Sequence, residues 1–332
     1  MDGLKAPWPA ALALSGGGDS LALMHLLADW ARQRGLPLPV VLIVDHALRR
    51  DSAQEARKAR SFATTLGLSA HILTRKGTKP RSGIEELARD ARYGLMGSWL
   101  KRHRLSFLYV GHTQDDQAET FLLRLARGSG LDGLSAMRGL APFPVRRFAD
   151  LILARPLLGI ARHRLRTYLR QRRQSWLEDP MNSETRFARS RIRNLMPALE
   201  AAGLPAARIA SAARHLARAR AALEVATQAI LERAVRPDGG RMLLDPKALA
   251  AAPAEMGLRA LAQVLMAISG EPYRPRFERL ERLFRRMVEG KLHGGATLHG
   301  CRLQPAPRAA QVFGPETLVL TKEKSRRATK EP

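Results

Sequence analysis

Apolar residues follow two rhythms along this chain. In the first half, short continuous apolar runs alternate with stretches whose apolar positions recur every three or four residues. The runs are Ala10 to Leu14, Val40 to Asp45, His71 to Thr74, Phe107 to Gly111 and Leu151 to Ala154. Their length and their aliphatic content predict buried strands. Between them, Leu21, Met24, Leu27 and Ala31 predict a helix, as do Ser52 to Leu66 ahead of Gly67 and the stretch up to Arg102. In that third helix Ser82 and Glu85 form a capping box, and Ile84, Leu87, Ala91 and Leu95 form the inner stripe. Ala161 to Arg173 predicts an amphipathic helix around Leu165, Tyr168 and Leu169. Strands alternating with helices predict an α/β fold, a doubly wound, mostly parallel five-stranded sheet with right-handed crossovers. One element conflicts locally: Ala10 to Leu14 is made of helix formers, and only the glycines and the helix after it argue for a strand.

After Gly203 to Pro205 the rhythm changes. Ile209, Leu216, Leu223 and Ile230 repeat every seven residues along a helix of about seven turns, which predicts the seam of a small bundle. Two more helices follow, near Ala254 to Ile268 and Arg276 to Gly290; the last is expected to bury Phe277, Leu280, Phe284 and Met287 and to show Arg279, Arg282, Arg285 and Arg286 outward. The segments HGGATLHGCRL and QVFGPETLVL predict a closing hairpin. The expected organisation is therefore a domain at 1–204, a smaller, mainly helical one at 205–321, and a polar, disordered tail at 322–332.

The first strand runs into Ser15-Gly16-Gly17-Gly18-Asp19-Ser20, and a helix begins there. Glycines permit positive φ and let a ligand approach bare backbone; loop N–H groups and a helix N-terminus together favour a phosphate. The loop is neither a Walker loop, since no lysine follows, nor a GxGxxG fingerprint. Taken alone it could be a glycine-rich turn with Asp19 or Ser20 as a helix cap. After the second strand come Asp45 and His46; after the fourth come His112, Asp115, Asp116 and Glu119. All three sets fall beyond the carboxyl ends of strands, where parallel sheets bind ligands. Asp115 and Glu119 lie four apart on one helical face, with Asp116 three from Glu119. Three acids in one turn repel each other, and a magnesium ion held by Asp19, Asp115 and Asp116 would relieve them; acids complementing a helix N-terminus are the simpler reading.

Charge narrows the partner. The formal net charge is +26, and ten of the 56 cationic residues are lysine, which leaves 46 arginines. Such a surface suits a polyanion, because cations gain by releasing counterions from phosphates. Arg89, Arg92, Arg162, Arg166, Arg189 and Arg193 are the expected nucleic-acid contacts, and the small basic domain at 205–321 is expected to bind the nucleic acid as well. A single cysteine, Cys301, rules out an internal disulfide and a cysteine metal cluster. With no signal peptide and no membrane span expected, a cytoplasmic setting is the reading. Oligomeric state is left open, a homodimer included.

These residues resemble a known family. The hexapeptide Ser15 to Ser20 is similar to the SGGxDS signature of the PP-loop ATP pyrophosphatases. Gly111 to Met137, GHTQDDQAETFLLRLARGSGLDGLSAM, resembles the AHHxDDQAETxLxxLxRGxGxxGLxGM segment of the tRNA(Ile)-lysidine synthases, with Thr113 where a second histidine is frequent. VDHALR at Val44 to Arg49, ARDARY at Ala88 to Tyr93 and RPLL at Arg155 to Leu158 agree. Trp176 to Leu199 resembles W-x-x-DxSN…RNxIRxxxxPxL, with Met181 for the usual serine and Ser190 for asparagine, and with Asp179, Asn182, Arg189 and Arg193 matched.

The resemblance spans about residues 8 to 200. It implies ligation of free L-lysine to the wobble cytidine of a CAU-anticodon isoleucine tRNA, with ATP as substrate and magnesium as cofactor. It implies ATP contacts from Ser15 to Ser20, Asp45, His46 and His112. It implies catalytic roles for Asp19, Asp115, Asp116, Glu119, Arg189 and Arg193. The rivals are a PP-loop tRNA thiolase, which usually relays sulfur through several cysteines, and a non-catalytic RNA-binding protein, which leaves the acid cluster unexplained.

Overall fold

The computed structural model describes residues 8–47, 51–75, 84–178, 188–271 and 273–323. Ser82, Asp179, Met181, Asn182 and the tail from 324 lie outside the described residues, as does the side chain of Glu85. The chain divides into two compact units, 1–217 and 218–332. The division falls inside a long helix; the break at Gly203 to Pro205 is where that helix begins.

The first unit is built on a six-stranded sheet of β1 (Ala11–Ala13), β2 (Val40–Asp45), β3 (Ala70–Thr74), β4 (Phe107–Tyr109), β5 (Leu140–Pro142) and β6 (Ile152–Ala154), in the order β3-β2-β1-β4-β6-β5. All neighbours pair in parallel except β5, which runs antiparallel to β6 at the edge. The sequence predicts five of the six. The sixth, LAP, is three residues long and ends in proline, which an edge strand tolerates because its N–H side need not be paired.

Successive residues of the central strands point to opposite faces, and both faces are covered. Leu12, Leu14, Val41 and Ile43 pack against α1 (Gly18–Gln33), α2 (Ser52–Thr65) and α6 (Arg162–Gln171). Ala11, Leu42, Leu108 and Leu153 pack on the other face against α3 (Ile84–Arg102). This burial decides the conflict at β1. Ala11 and Leu12 are fully buried and pair with both β2 and β4, so tertiary packing overrides the helical preference of Ala and Leu.

Two predicted stripes are corrected. In α3 the buried face is Tyr93, Met96, Trp99 and Leu100, whereas Leu87 is 49% exposed. The buried face belongs to the C-terminal half of this helix; of the predicted stripe Leu87 faces outward, Ala91 and Leu95 are half-buried, and the side chain of Ile84 lies outside the described residues. The remaining helices of the unit are α4 (Gln114–Leu125), the short α5 (Leu131–Leu134) and α7 (Ala188–Ala201).

The 29-residue α8 (Ala206–Ala234) leads into the second unit. Ile209 and Ile230 are buried, and Leu216 and Leu223 are half-buried. The second unit holds α9 (Pro246–Ala250), α10 (Ala254–Ser269), α11 (Phe277–Val288) and a five-stranded antiparallel sheet. Its strands are β7 (Val235–Asp238), β8 (Arg241–Leu244), β9 (Ala296–Leu298), β10 (Cys301–Pro305) and β11 (Leu318–Lys322), in the order β7-β8-β11-β10-β9. The expected closing hairpin is three strands of this sheet. In α11 Leu280, Leu283, Phe284 and Met287 are buried, but Phe277 is 56% exposed because it opens the helix ahead of the packed turn.

The α3 register is testable. Leu100→Ala should cost about 2–5 kcal/mol of unfolding free energy, as for a fully buried leucine. Leu87→Ala should stay within about 0.5 kcal/mol, as at an exposed position; parallel denaturant titrations measure both. Equal losses would restore the stripe through Leu87.

Candidate active site

The glycine-rich loop is braced from within. Gly16 has φ +85°, in the left-handed region, and a Cβ built there would lie 2.6 Å from Leu177 Cδ1. Gly17 is the N-cap of α1. The Ser20 hydroxyl is buried; it donates to the Gly17 carbonyl (2.9 Å), accepts from the Ser15 N–H (3.2 Å) and lies 3.1 Å from Ser15 Oγ. Ser20 therefore ties the loop, and Ser15 stands exposed at its mouth. The chain around Trp176 and Leu177 crosses above it. The Leu177 N–H donates to the Gly16 carbonyl at 2.9 Å, and Trp176 packs on Gly18.

Asp45 ends β2 and His46 follows it, next to β1 at the same edge. Asp45 is buried and its Oδ1 accepts the Ala47 N–H at 2.9 Å, which turns the chain sharply after the strand. After β4 comes Gly111, where a Cβ would come within 3.0 Å of the Asp19 and Ser20 backbone. A glycine is needed for His112 and Thr113 to pass this close to the loop.

Thr113 is the N-cap of α4. Its hydroxyl accepts from the Asp116 N–H (3.4 Å) and donates to Asp116 Oδ2 (2.9 Å), while its own N–H donates to that oxygen at 2.8 Å. The closed capping box gives a physical reason for threonine at this position. His112 accepts at Nδ1 from Arg155 Nε at 3.3 Å, so its proton sits on Nε2. Burial, with the nearby Arg155 and Arg189 cations, pushes its pKa down to about 3 despite Asp116. Arg155 also donates to the Arg138 carbonyl at 2.9 Å. Arg155 carries no role in the sequence reading; its place directly after β6, at the carboxyl edge of the sheet, was the available signal.

The acids expected to cluster do so, and arginines join them. Glu119 is 2% exposed: its Oε1 accepts from Arg193 Nε (2.7 Å) and Arg162 Nη1 (3.3 Å), and its Oε2 from Arg189 Nε (2.6 Å). Asp116 Oδ1 accepts from Arg189 Nη2 (2.8 Å) and Arg162 Nη2 (3.1 Å). Arg162 Nε donates to Asp19 Oδ2 at 3.0 Å. Three carboxylates from α1 and α4 thus face three guanidiniums from α6 and α7. Burial alone would raise the Asp116 carboxyl, but Arg189 and Arg162 outweigh it and hold the group below the usual range. Burial raises the Asp19 carboxyl, and Asp116 and Asp115 add to the rise against Arg162.

The remaining expected residues are placed as follows. Asp115 Oδ2 accepts the Arg162 backbone N–H at 2.7 Å, which satisfies an otherwise unpaired donor in the first turn of α6. Asp19, Asp115 and Asp116 therefore spend oxygens on N–H donors. Among the described residues no group of three His, Cys, Asp or Glu is arranged to hold a metal. Guanidiniums answer the mutual repulsion of these acids. Arg162, expected on an RNA-facing surface, lies inside the cluster. Arg166 lies 3.4 Å from Glu178 and over the Trp176 ring. Arg89 and Arg92 flank the Tyr93 ring at 5.2 and 5.3 Å; Arg89 is exposed, and Arg92 is half-buried. Ser190, in the asparagine position, is buried in α7.

The neutral histidine predicts a pH dependence. An unfolded histidine takes up a proton near 6.5, whereas folded His112 refuses it down to about 3. Stability should therefore fall as pH drops below 6.5, by at most about 1.4 kcal/mol per pH unit for one such group. His25, whose pKa is also lowered by burial, adds in the same direction. Urea midpoints at stepped pH should show a shallower acid loss in His112→Gln; an unchanged slope would mean that His112 is protonated in the folded protein.

Known proteins share this framework. Residues 7–199 match the PP-loop domain family. The chain is 42% identical over 273 residues to the tRNA(Ile)-lysidine synthase of Ruegeria pomeroyi, covering 82% of this chain and 64% of that one. It is 36% identical to that of Wolbachia pipientis wMel, over 95% of this chain and 71% of the relative. With that of Methylobacterium nodulans it shares 42% identity over 87% of this chain and 86% of the relative. The structure resembles a U34-tRNA thiolase from Methanococcus maripaludis with its [4Fe-4S] cluster, at TM-score 0.53 and 20% identity, over 66% of this chain and 73% of that one. The thiolase shows the fold alone. The coverage and identity of the synthases, on a braced glycine loop beside the expected acids, establish that this chain belongs to the tRNA(Ile)-lysidine synthase family.

Proposed function

We infer that this protein ligates L-lysine to C2 of the wobble cytidine of a CAU-anticodon isoleucine tRNA, consuming ATP. The observation that carries the reading is the position of Asp19. It belongs to the glycine loop and, through Arg162, to the cluster with Asp116 and Glu119. A phosphate site and a charged reaction site are thus continuous.

The chemistry needs such a junction. Cytosine's 2-oxygen attacks the α-phosphorus of ATP, and pyrophosphate leaves. The lysine ε-amine, having lost a proton, then attacks C2 and expels AMP. The loop N–H groups and the exposed Ser15 hydroxyl suit the departing phosphates, with Ser20 holding the loop in shape. Asp45 and His46 flank the nucleotide side, and neutral His112 offers an Nε2–H donor beside it. Arg162, Arg189 and Arg193 are already oriented by carboxylates. Incoming phosphates are strong partners for the same guanidiniums, and developing negative charge at the α-phosphate is what preorganised cations stabilise. As each arginine turns to phosphate, Asp116 and Glu119 become acceptors for an ammonium or for the cytosine amino group. A magnesium ion would supply counter-charge to the triphosphate, with Asp19, Asp115 and Asp116 as the acids that would lie beside it. The target base must leave its loop stack, which is cheapest in a single-stranded anticodon. A tRNA substrate makes the cytoplasm the setting.

A cluster-dependent thiolase is disfavoured on this chain's own composition. Iron–sulfur clusters need several thiolates, and Cys301, the chain's one cysteine, is buried with its thiol on the Leu265 carbonyl.

The test is incorporation of labelled lysine into an isoleucine tRNA transcript with the CAU anticodon, in the presence of ATP and magnesium. The wild type should label it and leave a CAU methionine tRNA unlabelled, and Asp19→Ala should abolish labelling. Pyrophosphate release without lysine incorporation would keep adenylation and reject the amine. Neither product, from folded protein, would reject the enzyme.

A further inference from the structure

The reaction as described leaves His25 of α1 unused, although its side chain is buried. Its Nε2 lies 3.2 Å from Gln174 Oε1, 149 positions further along the chain. That amide oxygen can only accept, so Nε2 carries the proton and donates. The Nδ1 atom is buried and has no hydrogen-bond partner among the described residues. The adjacent residues Met24 and Leu26 are apolar, and a leucine at position 25 would leave no buried atom unpaired. A buried polar atom without a partner calls for a reason. The bond to Gln174 is the reason the structure offers.

The end of α6 delivers Gln174 to His25. The helix closes in a Schellman motif: the Gln174 N–H donates to the Leu169 carbonyl and the Arg173 N–H to the Arg170 carbonyl, both at 2.9 Å. Glycine usually fills the left-handed position of this motif; here Arg173 does, at φ +54°. Strain of this kind persists where the surroundings over-determine it. Gln174 uses both ends of its amide, Oε1 on His25 and Nε2 on the Ser175 carbonyl at 2.7 Å. The next two residues form the strap over the glycine loop, with Trp176 against Gly18 and the Leu177 N–H on the Gly16 carbonyl. The strap is therefore fastened at one end to the loop and at the other, through Gln174, to the helix that the loop opens into. A second link between α1 and α6, Asp29 with Tyr168 (3.3 Å) and Arg172 (2.5 Å), ends before the strap begins.

We propose that His25 and Gln174 are positioning residues for ATP: together they hold the strap down on Gly16 and Gly18 and keep the glycine loop in the shape that receives the triphosphate. The proposal rests on the reading of this loop as the ATP phosphate site. Both side chains act through the strap and not on the substrate. Loosening the strap lowers the fraction of molecules whose loop is ready, and the apparent affinity for ATP falls by that fraction. Once ATP is bound, its own contacts restore the loop, so the chemical step is spared.

The test is binding of ATP with magnesium by the full chain, read by titration calorimetry, beside lysine-transfer kinetics. Loss of one hydrogen bond should raise the ATP Kd about fivefold in Gln174→Ala, and likewise in His25→Ala. The double variant should show no more than the larger single effect, because both changes cut the same link. His25→Gln puts an amide N–H near the place of the ring Nε2–H and should recover most of the affinity. Gln174 is half-buried at a helix end, so its variant tests the proposal even if His25→Ala does not fold. In lysine transfer Gln174→Ala should raise KM for ATP by a similar factor and leave kcat and the KM for lysine unchanged. Asp29→Asn weakens the neighbouring link between the same helices and should leave the ATP Kd as it is.

An unchanged ATP Kd in folded Gln174→Ala overturns the proposal even if lysidine forms. An equal rise in Asp29→Asn overturns it too, because the packing of α1 on α6 would then be the cause. The expected pattern of Kd values in a protein that incorporates no lysine supports the proposal and rejects the lysine reading alone. A wild type that does not bind ATP overturns both.

Discussion

The first unit depends on one half-buried balance of charge. Asp19, Asp116 and Glu119 come from two helices, and Arg162, Arg189 and Arg193 from two others; each carboxylate oxygen engaged there meets a guanidinium N–H at 2.6 to 3.3 Å. In a medium less polar than water, removing one member of such a set leaves a partner charge uncompensated, at a cost of about 3–5 kcal/mol. The balance fixes where the start of α6 and the basic face of α7 stand relative to the glycine loop. It also explains how a chain so rich in arginine can bury some of it. These arginines are held by carboxylates while others stand in water, so the charge cluster and the basic surface are two separate uses of the same residue type.

The helix starts are recruited into that balance. Thr113 closes the first turn of α4 with Asp116, so the carboxylate that receives Arg162 and Arg189 on one oxygen is pinned through the other. Asp115 reaches across and caps α6. Two adjacent acids of the QDDQAET segment therefore do opposite jobs: one closes its own helix and meets the arginines, the other closes a neighbour.

Much of this was legible in the sequence, and the limits have physical causes. Val40 to Asp45 and the glycine hexapeptide were readable because a buried parallel strand and a phosphate loop each need a narrow set of residue types. That the acids sit at the carboxyl edge followed from alternation of strands and helices alone. The role of Arg162 was not legible, because an arginine on an amphipathic helix looks the same whether it faces water or a half-buried carboxylate 143 positions away. The stripe in α3 was misplaced because two competing apolar faces exist, and only the sheet decides which is covered. The repulsion among the acids was legible, but not the arginines that answer it, because they arrive from residues 162 to 193. In the second unit the strands at Val235 to Leu244 escaped notice because VRPD and RMLL carry too little alternation to stand out beside a 29-residue helix.

The three glycines of the loop are not equal. At position 16 the protein's own fold forbids any side chain, by backbone angle and by the Leu177 methyl group. At 17 and 18 it does not: neither φ is left-handed, and an added methyl would sit 3.5 to 3.6 Å from its nearest neighbours, ordinary contact distances. Folding alone would accept alanine at both. The protein's own packing gives no reason for those two positions to be bare, and a polyphosphate in the proposed site would supply one. Mutational tolerance at 16 would thus report on the fold, and at 17 and 18 on the ligand.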